Sequence, residues 1–144
     1  GKIRSTSALV AVGDGNGTIG WGEGRASDIL SAIQKAERRA RKNLVYVDRF
    51  ESRTLFGDID YKFQNTRLML APKAAGYGLS VNHVISEICT LCGINDLAGK
   101  VMGSTNRMNV VKATFAAFTY QKHPQTLARQ RGKKVADVSM RYFG

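Results

Sequence analysis

Residues 7–26 read S-A-L-V-A-V-G-D-G-N-G-T-I-G-W-G-E-G-R-A. Gly13, Gly15 and Gly17, with Asp14 and Asn16 between them, mark a tight turn because these residues tolerate positive φ. Before the turn, Ile3 to Val12 is rich in β-branched and small residues and reads as a strand. After it, Thr18 to Gly24 reads as the return strand, with Ile19 and Trp21 alternating with Gly20 and Gly22. Glycines on one side of a strand let another backbone or a ligand come close. The chain is therefore expected to open with a hairpin whose tip is nearly bare backbone.

Downstream, Ser27 or Asp28 can cap a helix from about Ile29 to Leu44. Ile29, Ala32, Ile33, Ala36, Ala40 and Leu44 gather on one face at 100° per residue, and that face is expected to be the buried one. Lys35, Arg38, Arg41 and Lys42 occupy much of the other side, Arg39 lies at its border, and Glu37 is the only acid among them. Lys35, Arg38 and Lys42 are expected to form one stripe suited to a phosphate backbone.

The whole chain has 144 residues, 22 Lys and Arg against 11 Asp and Glu, and a net charge of +11. That charge is uneven: residues 1–50 carry nine basic and five acidic side chains (+4), residues 51–100 five of each (0), and residues 101–144 eight against one (+7). Basic patches of this kind meet phosphate backbones, where each neutralised phosphate releases counterions. Solubilising charge is the plainer alternative. The chain is 43% hydrophobic, enough for a packed core, so a disordered basic tail is excluded. No apolar run approaches the roughly 18 residues of a membrane span.

Val45 to Arg53 reads as a connection. Ile59, Tyr61 and Phe63 alternate with Asp60 and Lys62 as in a half-buried strand, Gln64-Asn65 turns, and Thr66 to Ala71 returns until Pro72. A loop at Gly76-Tyr77-Gly78 precedes a helix with Val81, Val84, Ile85, Ile88, Cys89 and Cys92 at helical spacing, stopped by Gly93. Asp96 to Met102 is a short strand, and Gly103-Ser104-Thr105-Asn106 opens a helix buried through Val110, Ala113, Thr114, Ala117 and Phe118. Pro124 interrupts, and a basic tail with Arg129, Arg131, Lys133, Lys134 and Arg141 against Asp137 follows. The order β-β-α, then β-β-α-β-α, then a basic extension predicts an α+β protein of two small units.

Catalytic chemistry finds little footing. No Ser or Cys nucleophile has a His at a motif spacing, and the carboxylates are scattered. Cys89 and Cys92 have redox-like C-x-x-C spacing, yet both fall on the apolar helix face, where a thiol acts as a small hydrophobe. Zinc needs four ligands, and His83 and His123 lie at no useful spacing from them. No catalytic residue, metal or cofactor is expected. One loop, Pro72 to Ser80, P-K-A-A-G-Y-G-L-S, sets glycines before a helix start and resembles the phosphate loop of certain small-molecule kinases. The Gly103 to Asn106 helix start, beside Arg107, could hold a phosphate oxygen or could be an ordinary cap.

The stretch from Ser7 to Ala26, with A-I-Q-K-A-E-R-R-A-R-K-N-L at 32–44, resembles the N-terminal unit of ribosomal protein S-five, the fifth protein of the small subunit. G-S-T-N-R-M-N-V-V-K-A-T at 103–114 and R-G-K-K-V-A-D-V at 131–138 resemble its C-terminal unit. The resemblance implies a double-stranded-RNA-binding-like unit over 1–48, an α+β unit with a left-handed β-α-β crossover over 49–121, and a basic extension over 122–144. It also implies a strand and basic loop ahead of Gly1, which makes the first unit a truncated one. Arg49-Phe50-Glu51 followed by R-T-L-F-G-D-I-D resembles the mitochondrial branch, as do Trp21, Glu23 and Arg107, rather than the bacterial or plastid one.

As the resemblance implies, ribosomal RNA would be met at Lys2, Arg4, Gly15, Asn16, Arg25, Lys35, Arg38, Arg39 and Lys42. The second unit would add Ser104, Thr105, Asn106, Arg107 and Lys112, and charge and position add Arg129, Arg131, Lys133 and Lys134. Gly76, Tyr77, Gly78, Val81 and Ser86 would face a protein neighbour, the fourth small-subunit protein, with the eighth also nearby. The implied role is structural, near the decoding region and the path where messenger RNA enters. A free-standing RNA-binding regulator and, more remotely, a phosphotransferase are the competing classes.

Overall fold

The computed structural model describes residues 1–121 and 123–134. The tail positions Asp137 and Arg141, and the V-A-D-V half of the last motif, lie outside the described residues.

The hairpin forms as the glycine turn requires. Strand β1 (Thr6–Gly13) pairs antiparallel with β2 (Thr18–Ala26), Val10 opposite Gly22 and Ala11 opposite Trp21. The first strand starts later than its composition suggested, and Ile3 is fully exposed. Helix α1 (Ile29–Lys42) begins at Asp28, whose carboxylate accepts from the Ser31 amide at 3.3 Å. Hydrogen bonding from Ser31, its side chain first and then its amide, lowers the Asp28 carboxyl from its ordinary range. β3 (Val45–Tyr46), within the stretch read as a connection, adds to β2, so the first sheet runs β1-β2-β3.

The buried face of α1 differs from the expected one. Ala32, Ala36 and Ala40 are wholly buried, whereas Ile29, Ile33 and Leu44 are exposed by 63%, 40% and 50%. The cause lies in β2. A Cβ on Gly22 would sit 2.5 Å from the Ala40 nitrogen, and one on Gly20 2.6 Å from the Ala40 carbonyl oxygen. Helix and strand touch backbone to backbone, so only alanine fits the seam and larger side chains are displaced to its flanks.

The second sheet runs β4 (Ile59–Phe63), β5 (Thr66–Pro72), β7 (Leu97–Gly103), β6 (Leu79–Ser80). β6 is too short to show a period, and it pairs parallel with β7 through α2 (His83–Cys92), a β-α-β unit. α2 starts two residues later than its apolar pattern, because Asn82 caps it by accepting from the Val84 amide at 2.9 Å. Gly93, with φ +89°, ends it. α3 (Arg107–Tyr120) buries Val110, Ala113, Thr114, Ala117 and Phe118 as expected, and Phe115 besides. α4 (Pro124–Gln130) starts at the proline, as a first-turn proline allows.

α2 and α3 lie between the two sheets. Leu68, Leu70, Ile85, Ile88, Ile94, Leu97 and Phe118 form one core with Cys89 and Cys92, and Ile19 and Val47 of the first unit join it. The outer face of the second sheet carries Asp60, Lys62, Arg67 and Met69 to solvent, with Arg67 donating to Asp60 at 2.8 Å. No described helix is long and apolar enough to cross a membrane.

Candidate nucleic-acid interface

Because α1 buries a narrow alanine seam, most of its circumference is free to carry charge. The expected stripe is divided. Lys35 Nζ donates to the Arg25 carbonyl at 3.3 Å and Arg39 Nη1 to the Glu23 carbonyl at 2.8 Å, so both lean back onto β2. Arg41 pairs with Glu37 one turn earlier. Arg38 and Lys42, four residues apart, are exposed and have no partner among the described residues. They are the cations that α1 leaves open.

Arg25, next to last in β2, donates through Nε (3.0 Å) and Nη2 (2.8 Å) to Ser5 Oγ. Lys2 and Arg4 precede β1 and are exposed. Arg25, Arg39 and Ser7 line one groove with Met108 from the first turn of α3. Arg25 and Arg39 thus share a groove with the first turn of α3, the helix that the Gly103 to Asn106 segment opens. There, Asn106 Oδ1 accepts from the Met108 and Asn109 amides at 3.1 and 3.4 Å, and Ser104 Oγ accepts from the Asn106 amide at 3.4 Å. These are the bonds of a helix cap. Thr105 and Arg107 stay exposed beside it.

Lys112 is placed differently from the surface contact that the resemblance implies. Its Nζ is 2.9 Å from Glu23 Oε1 and 5.5 Å from the centre of the Trp21 ring, with its side chain 24% exposed. It joins the two units across a seam. Alternation along β2 already set Glu23 on the side of Ile19 and Trp21, and that was the available signal.

The hairpin tip also has an internal partner. The Gly15 and Gly17 amides donate to the Leu91 and Cys92 carbonyls at the end of α2, each at 2.8 Å. Asn16 Oδ1 accepts from Arg49 Nη2 at 2.9 Å, while Gly15 and Asn16 remain exposed. Asp14 accepts from the Asn16 amide at 2.8 Å, and this bond chiefly holds its carboxyl below the usual range. The sequence reading gave Arg49 no part in the site: it is one of two arginines in a connection without periodicity. Arg129, Arg131, Lys133 and Lys134 are exposed at the far end of the described chain.

The glycine loop before α2 is not shaped for phosphate. The Gly78 amide donates to Asp96 Oδ1 at 3.0 Å, and that carboxylate is buried, so a negative charge already takes the donor a phosphate would need. Gly76 and Gly78 have φ of +86° and +85°, Tyr77 is exposed under Lys73 at 5.5 Å, and Val81 and Ser86 are half-buried. Burial raises the Cys89 and Cys92 thiols to about 12 and about 11, which suits core packing and not thiolate chemistry. Among the described residues, no three His, Cys, Asp or Glu side chains gather as a metal site requires.

The architecture is that of a basic α+β protein of two small units that carries its open cations on helices and chain ends. Residues 1–48 match the family described as Ribosomal protein S5, N-terminal domain, and residues 61–131 match Ribosomal protein S5, C-terminal domain. A bacterial relative, small ribosomal subunit protein uS5 of Shewanella amazonensis, is 36% identical over 96% of this chain and 82% of its own length. The mitochondrial protein uS5m of Schizosaccharomyces pombe is 43% identical over 99% of this chain and 37% of its own length. That of Mus musculus is 38% identical over 95% of this chain and 32% of its own. The chain belongs to the ribosomal protein S5 family, which is not an enzyme family. It spans about a third of the length of these mitochondrial relatives.

Proposed function

We propose that this chain is a structural, RNA-binding constituent of the small subunit of the mitochondrial ribosome. The observation that carries the reading is the family match over both units in order, with 43% identity to a mitochondrial relative against 36% to a bacterial one. Arg38 and Lys42 supply salt-sensitive phosphate contacts, and Arg25, Thr105, Arg107, Lys2, Arg4 and the basic end of the chain extend the same RNA surface. Gly15 and Asn16 offer their exposed side to RNA while their amide and side chain hold the tip in place. Binding of this kind reads RNA shape and phosphate position more than base sequence.

Gly76 to Gly78, Val81 and Ser86 are the surface for neighbouring small-subunit proteins, with the fourth and eighth as the expected ones. The division near residue 48 separates an RNA-facing unit from one that also serves protein contact. The chain acts near decoding and the path of messenger RNA, and no catalytic step is assigned to it. Gradient sedimentation of mitochondrial lysate tests the reading: the protein should travel with the small subunit. Its absence from those fractions would remove the ribosomal role and leave a free-standing RNA-binding regulator.

A further inference from the structure

Between the units the chain runs through residues 49–54, and two arginines there bind both of the surfaces just assigned. Arg49 Nη2 donates to Asn16 at the hairpin tip (2.9 Å), and Nη1 donates to the Gly93 carbonyl after α2 (3.0 Å) and to the Ser52 carbonyl (3.1 Å). Its Nε is buried without a partner, a donor given up while the other two nitrogens reach three acceptors. The end of α2 favours a cation there through its helix dipole.

Four residues on, Arg53 Nη1 donates to the Lys73 carbonyl at 2.7 Å and lies 3.4 Å from Asp96 Oδ2. Asp96 is 4% exposed, and its other oxygen holds the Gly78 amide. The Arg53 carbonyl accepts from the Asn95 amide at 2.7 Å, which ties the strap to the chain leading into β7. Between the arginines, Glu51 and Ser52 have φ of +52° and +55°. Left-handed backbone at two consecutive non-glycine residues persists only where the surroundings over-determine it. A continuous polar route therefore runs from Asn16 through Arg49, the strained turn, Arg53 and Asp96 to Gly78.

We propose that Arg49 and Arg53 are positioning residues that lock the hairpin tip and the Gly76–Gly78 loop into one fixed relation, so that loosening one end loosens the other. Naming the two ends as RNA and protein surfaces rests on the function proposed above; the mechanical link does not.

Amide hydrogen exchange on the intact protein tests the link. Arg49→Met should speed exchange at Gly15 and Gly17 and, across the strap, at Gly78, each by about fivefold or more, with Leu68 in the core unchanged. Where Arg49→Met fails to fold, Arg49→Lys carries the same expectation, because an ammonium cannot span the three acceptors of the guanidinium fork. In the reverse direction, Arg53→Lys should speed exchange at Gly78 and also at Gly17. Unchanged exchange at the far end in either variant overturns the proposal, and so does an equal rise at Leu68, which would mean global loosening. A chain absent from small-subunit fractions that still shows the selective pattern refutes the ribosomal role and leaves the link standing.

Discussion

The two units are held together in opposite ways. In the first, α1 meets β2 through Ala32, Ala36 and Ala40 against Gly20 and Gly22, with almost no side chain between the backbones. In the second, α2 and α3 meet their sheet through Leu68, Leu70, Ile85, Ile88 and Phe118, an ordinary core of large apolar groups. The first arrangement removes little apolar area from water, and the hydrophobic return scales with that area. Its stability therefore leans on close backbone contact and on docking to the second unit through Ile19, Lys112 and the hairpin tip. In exchange, most of the helix surface is free for cations. The second unit is a foundation, and the first is a charged display mounted on it.

The sharpest way to break this contrast is to add carbon where there is no room. Gly22→Val should cost more than about 4 kcal/mol, beyond ordinary overpacking, since the obstacle is helix backbone. The amide signals of α1 should collapse while those of β5 and β7 persist. A variant that keeps α1 intact would show that the seam is looser than the backbone contacts imply. Removing carbon from the second unit is the complementary test. Leu70→Ala, at a position only 2% exposed, should cost about 3 kcal/mol in denaturant unfolding.

A finer contrast lies within α1. Arg38→Ala with Lys42→Ala should leave stability unchanged and make the salt dependence of RNA binding shallower by about 1 to 2 in slope. Lys35→Ala with Arg39→Ala removes two bonds to β2 carbonyls and should lower stability by about 1 kcal/mol while altering the slope less. Equal slopes for the two pairs would erase the distinction between open and inward-leaning cations.

The smallest effects concern pH, and the units should differ in direction. The folded Asp14 carboxyl titrates below its ordinary 3.8, so its contribution is present above 3.8 and lost as pH falls through the lower folded value. The hairpin tip should loosen in acid, read by exchange at Gly17. The folded Cys89 and Cys92 thiols titrate at about 12 and about 11 against 9.0 unfolded, so their contribution is complete below 9.0 and declines as pH rises beyond it. The α2 core should weaken in alkali, and Cys89→Ala with Cys92→Ala should flatten that decline in pH-dependent unfolding.

Long-period features were legible in the sequence. The 3.6-residue pattern located α2 and α3 and put Cys89 and Cys92 in the core, and alternation located β4 and β5. The two-residue strands β3 and β6 were not legible, because a strand that short has no period and exists only through its neighbour. The proposed RNA surface was legible as a cluster of cations. Its division was not, because Lys35 and Arg39 are chemically the same as Lys42 and Arg38 and differ only in which carbonyls lie within reach.

By itself, the order of residues determined the glycine hairpin, the helical stretches, the neutral middle between basic ends, and the family. Those depend on local backbone preference and on spacing along one chain. Tertiary structure alone decided that the hairpin tip rests on the end of α2, that Lys112 joins a seam with Glu23, and that Asp96 fills the loop a phosphate would need. Each of these pairs groups far apart in sequence. Whether a charge is open or already matched depends on its neighbours in space, and spacing along the chain does not specify them.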